Sequence, residues 1–86
     1  MNWNDAAEEL LNSILLRTPR PVRETTGQDI RRTAEQMAEE ESKQRVGVET
    51  VIAAWIEKTP EALRSTLPQQ IESLGLDLSE YEHLLR

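Results

Sequence analysis

The chain is 86 residues long, 37% apolar and 30% charged, which sets the expectation of one small domain over residues 1–86. Its core should be thin, because a chain of this size buries only about 60% of its unfolded surface. Cysteine is absent, which excludes disulfides, thiolate-held metals and cysteine nucleophiles, and a net charge of -6 argues against a nucleic-acid binder, which needs a basic face for phosphates.

The apolar bulk comes from eleven Leu, five Ile, four Val and the alanines, with no Phe, so the expected class is all-α. The longest apolar run, Val51 to Ile56, is far short of the roughly 20 residues that span a bilayer. The opening MNWNDAAEE lacks the basic start and apolar stretch of a signal peptide, and a cytoplasmic location is the expectation. Asn4 or Asn2 can cap a first helix over residues 4–16, and Trp3, just before it, falls on one stripe with Ala7, Leu10, Leu11, Ile14 and Leu15. Arg17-Thr18-Pro19-Arg20-Pro21 then stops it, because each proline lacks an N–H and pushes the residue before it out of the α region.

A second helix is expected over residues 21–43, with Val22, Thr26, Ile30, Thr33, Ala34, Met37 and Ala38 recurring on one face. Gly27 costs this helix about 1 kcal/mol relative to Ala and marks either a break or a close approach of the first helix. Pairs four residues apart, Arg20 with Glu24, Arg31 with Glu35, Glu39 with Lys43 and Glu41 with Arg45, are expected to support it by about 0.3 kcal/mol each. Val46-Gly47-Val48 interrupts the pattern, and Val48, Val51, Ile52, Trp55 and Ile56 resume it as a third helix over residues 48–58. Thr59-Pro60-Glu61 starts a short helix over residues 60–66, and two more follow over 68–73, ended by Gly75, and 79–85. The apolar residues of this tail, from Leu63 to Leu85, must cover the core or a partner.

No catalytic set stands out, and the chain reads as non-enzymatic, with no cofactor and no metal. His83, the single histidine, reads as a surface residue without a second ligand. Glu35, Glu39, Glu40 and Glu41 read as a solvated acidic face, since bundle-type carboxylate sites also need an inward Glu-x-x-His motif, which is missing. Charge is nevertheless uneven: Arg17, Arg20, Arg23, Arg31 and Arg32 against Glu24 and Asp29 leave residues 17–32 at +3, while the rest of the chain is negative. These five arginines are the candidate partner-binding residues. Arg17, Arg20 and Arg23 surround the start of the second helix, where free N–H groups and the helix dipole already favour an anion; pairing with Glu24, Asp29 and the acidic first helix is the alternative. Trp3 and Trp55 read as buried anchors of the first and third helices, or as stacking partners of a planar ligand.

The order Trp3, Ala7, Leu11, then Thr18-Pro19 and Val22-Arg23, then Ile30-Arg31-Arg32-Thr33-Ala34-Glu35 with Ala38 and Glu39, and Val48-Glu49 with Ala53-Ala54, resembles the protochlorophyllide-reductase-like domain. That small helical domain forms the C-terminal end of one component of the light-independent protochlorophyllide reductase and also occurs alone in photosynthetic bacteria. The resemblance covers residues 2–58, with Arg20 and Met37 standing where the family carries aromatic residues; residues 59–86 form a C-terminal extension. It implies a fold and a photosynthetic context rather than an activity, because the iron-sulfur ligands and main catalytic machinery of the reductase lie outside this domain. The implied role is an accessory or assembly protein binding a larger protein of the photosynthetic or chlorophyll-synthesis apparatus, peripheral to its membrane. The alternatives are a tetrapyrrole-binding module using Trp3 or Trp55 with Arg20 or Arg23 against a propionate, and a self-associating structural or regulatory protein using its leucine-rich tail.

Overall fold

Apolar spacing accounts for the three long helices of the computed structural model, which describes residues 1–85: α1 (Asp5–Leu16), α2 (Arg20–Glu40) and α3 (Val48–Lys58). A 3-10 stretch (Glu61–Thr66), helix α4 (Leu67–Ser73) and two 3-10 turns (Leu78–Glu80 and Glu82–Leu85) complete an all-α domain. Pro19 and Pro21 bracket the start of α2, which therefore begins one residue earlier than proline spacing suggests, at Arg20. The helix runs unbroken through Gly27. A Cβ there would lie 3.0 Å from Cδ1 of Leu15, so the glycine marks the close approach of α1 and not a break.

The far end of α2 differs from expectation. The helix stops at Glu40, because Ser42 adopts a left-handed φ of 58° and turns the chain. Ser42 N–H then donates to Glu39 O at 3.0 Å and Lys43 N–H to Ala38 O at 2.8 Å, satisfying carbonyls that a continuing helix would have used. With Lys43 and Arg45 outside the helix, the expected pairs with Glu39 and Glu41 lose their geometry; Lys43 pairs with Glu41 instead, at 2.8 Å. The same cap recurs where it is expected, after α4: Gly75 has a φ of 84°, its N–H donates to Glu72 O at 3.0 Å, and Leu76 N–H reaches Ile71 O at 3.4 Å.

Two further corrections concern short pieces. The stretch expected as a helix over residues 60–66 is a 3-10 stretch with no buried residue, and Thr59 does not cap it; its hydroxyl donates back to Trp55 O at 2.7 Å and closes α3. An element without an apolar face has little to hold it in regular α form. The terminal helix expected over residues 79–85 is two 3-10 turns, the first held by the Asp77 carboxylate accepting from Ser79 N–H at 3.0 Å.

A small parallel ladder has no counterpart among the expected elements. Strand β1 (Asn2–Trp3) pairs with strand β2 (Arg45–Val46), with Asn2 opposite Arg45 and Trp3 opposite Val46. Asn4, expected as a side-chain cap, makes no such bond; its N–H extends the ladder to Val46 O at 3.0 Å. The connection between these strands is α1 and α2, as a parallel pair requires a long crossover.

The centre of the core is α3. Thr50, Val51, Ile52, Ala54, Trp55 and Ile56 are all buried, the pattern of a helix covered on most sides. Ala7, Leu10, Leu11 and Ile14 of α1 and Ile30, Ala34 and Ala38 of α2 pack around them. Leu67 and Ile71 of α4, 1% and 0% exposed, belong to the same cluster, with Leu74, Leu76, Leu78, Leu84 and Leu85 half-buried against it. No helix among the described residues is long and apolar enough to cross a membrane.

Candidate functional site

On α2, residues 20, 23, 24, 27, 28 and 31 repeat at the three- and four-residue steps that define one helical stripe. This stripe faces α1 across an open groove of about 520 Å³, lined by Leu11 and Leu15 of α1 and by Arg20, Arg23, Glu24, Gly27, Gln28 and Arg31 of α2. The lack of a side chain at Gly27 lets Leu15 lie against the α2 backbone, so the floor is apolar while three arginines and one glutamate stand at the rim.

The three arginines are held differently. Arg23 donates from Nε and Nη2 to Thr18 O at 3.3 and 3.1 Å, tying α2 to the turn that follows α1, and Thr18 in turn donates to Ile14 O at 3.0 Å. Arg31 makes a two-pronged ion pair across the helices, with Nη1 and Nη2 at 3.1 and 3.3 Å from the two carboxylate oxygens of Glu8. Its guanidinium also lies over the Trp3 ring, 4.4 Å from the centroid, and the Trp3 indole donates to Glu35 at 2.9 Å. The hydrogen bonds from Arg31 hold the Glu8 carboxyl below its ordinary pKa, and Glu8 raises that of Arg31. Arg20 is exposed and joins none of the ion pairs found among the described residues.

The structure thus brings together Arg20, Arg23 and Arg31 and separates the other two candidates. Arg17 turns away to α4, bonding the Ser73 hydroxyl and, at 3.1 Å, the Ser73 carbonyl. Arg32 is exposed and lies about 100° round α2 from Arg31, off the groove. The apolar stripe of the first helix places Leu11 and Leu15 in the core, and the acids of that helix, Glu8 among them, are expected opposite Arg17, Arg20 and Arg23 and not opposite Arg31. The signal for the groove is present in the stripe from Arg20 to Arg31, and Glu8 sits on the matching face of α1, three and seven residues before Leu11 and Leu15.

The other candidates have ordinary surroundings. Trp55 is 8% exposed inside the core, and one face of Trp3 is occupied by Arg31, so neither tryptophan lines the groove. Glu39, Glu40 and Glu41 are exposed, and no group of three or more His, Cys, Asp or Glu among the described residues is arranged to hold a metal. His83 is exposed and faces Glu49 at 3.3 Å, a partner that lies 34 residues away and is not legible from its neighbours.

A family model described as a protein of unknown function (DUF2621) matches residues 1–85, and the chain belongs to that family. No curated protein and no solved structure matches it.

Proposed function

We propose that this DUF2621 protein is a non-enzymatic accessory module that binds an acidic surface segment of a larger protein through the groove between α1 and α2. The observation that carries the reading is the convergence of Arg20, Arg23 and Arg31 on an apolar floor, in a chain whose net charge is -6. Arginine-rimmed apolar surfaces suit protein recognition, because the floor supplies buried area while charge complementarity selects the partner and speeds encounter. The leucine-rich tail offers less: Leu67 is buried and the leucines from Leu74 to Leu85 pack against the core, which leaves Leu63 as its one exposed leucine among the described residues.

A pigment-binding role draws no support from the tryptophans, since one is in the core and the other is covered by an arginine. The photosynthetic setting implied by the sequence resemblance is likewise no part of the reading, which rests on the groove alone.

The test is capture of partners from the native host by the tagged protein and by its Arg20→Glu/Arg23→Glu variant, followed by cross-linking mass spectrometry. A partner cross-linked through an acidic segment to the α1–α2 face, and lost with the charge reversal at unchanged helicity, is the expected result. Partners that survive the reversal, or cross-link only to residues 59–86, rule the reading out.

A further inference from the structure

The groove is electrostatically one-ended. At one end Arg31 is already engaged by Glu8 through both terminal nitrogens and covered on one face by Trp3, so this end is close to neutral. At the other end Arg20 joins no ion pair among the described residues, and Arg23 spends Nε and Nη2 on one backbone carbonyl while its Nη1 makes no bond there. Two arginines against the single carboxylate of Glu24 leave the lining positive where α2 begins, and the floor beyond it, Leu15, Gly27 and Leu11, is apolar.

Length adds a second constraint. Arg20 and Arg31 are eleven residues apart on one helix, about 16 Å at 1.5 Å per residue, or three helical turns. An open groove of that length between two helices matches the apolar stripe of a third helix, whose contacts recur every three or four residues.

We infer that the acidic segment bound by this groove is a short amphipathic helix of about three turns, lying along Leu11 and Leu15 with its carboxylates gathered at the end that meets Arg20 and Arg23. The inference rests on the proposed function above and names the form of its partner. A helix with acids spread along its whole length is a poorer fit, because Glu8 already occupies Arg31 and repels a second carboxylate there.

Labelled synthetic peptides of about fourteen residues, a length at which an isolated helix is marginal and binding must complete it, separate the possibilities by fluorescence anisotropy. One carries a leucine stripe with three glutamates at a single end. A second has the same composition with the glutamates spread along the stripe, and a third has proline at its centre. The end-clustered peptide should bind at least tenfold more tightly than either other, and at least tenfold more weakly to Arg20→Gln/Arg23→Gln. Gly27→Ala, whose new Cβ would lie 3.0 Å from Cδ1 of Leu15 on the groove floor, should weaken it as well while thermal melting shows the protein still folded. Equal affinity of the proline peptide overturns the helical form, and equal affinity of the spread peptide overturns the one-ended charge. Failure of all three peptides at millimolar concentration, or tighter binding of dodecanoate than of any peptide, also overturns it. If the peptides fail while arginine-dependent capture of a protein persists, the helical form falls and the accessory role stands.

Discussion

Arg31 does three things at once: it pairs with Glu8, covers Trp3 and closes one end of the groove. Both members of the pair are 42% exposed at the side chain, so solvent screening keeps its worth below about 1 kcal/mol. Because Glu8 titrates below its ordinary value of 4.5 in the folded chain, this stabilisation is complete at neutral pH and is lost as pH falls through the lowered pKa. Glu8→Gln should therefore lower the urea midpoint at pH 7, and the difference should shrink as pH falls through the lowered pKa and vanish where the carboxylate is protonated in the folded and the unfolded chain alike. Ser42 gives a prediction of opposite sign. A side chain held at a φ of 58° costs about 1 kcal/mol that glycine avoids, and Ser42→Gly should raise the melting temperature by about 4 °C. A lower melting temperature would show that the serine side chain stabilises the turn.

Among the elements, the long helices are readable from sequence and their ends less so. α3 has the bounds its apolar spacing indicates, because proline and glycine flank an unbroken pattern. α2 ends early because a non-glycine residue takes the left-handed position, a choice that residue preferences disfavour. The ladder between Asn2–Trp3 and Arg45–Val46 has no signature at all: two residues are too few to show alternation, and their partners are over forty positions apart. The centrality of α3 makes its own prediction. Ile52 is fully buried there, and Ile52→Ala should cost about 2–5 kcal/mol, enough to leave so small a domain partly unfolded at 37 °C by circular dichroism. A loss under about 1 kcal/mol would mean that the core closes around the gap.

For the molecule as a whole, the core does not stop at residue 58. Leu67 and Ile71 reach it from α4, and Arg17 of the α1–α2 turn bonds Ser73 at the end of that helix. A chain ended after Lys58 should therefore lose cooperative melting while retaining much of its helical circular dichroism; a sharp transition in that fragment would show that α4 is an accessory layer. The same packing separates the two surfaces that composition leaves as equals, since the tail's leucines are largely spent on the core while Arg20 faces solvent.

Three helices, their apolar faces, the glycine stop after α4 and the basic character of residues 17–32 are local properties, set by spacing, dihedral preference and charge along a few turns of chain. The selection of Arg20, Arg23 and Arg31 from five arginines, the pairing of Arg31 with Glu8, the meaning of Gly27 and the central place of α3 arise elsewhere. Each depends on which face of one helix meets which face of another. The approach of α1 at Leu15 settles that for the groove: it leaves Gly27 no room for an ordinary side-chain contact and carries Glu8 to Arg31.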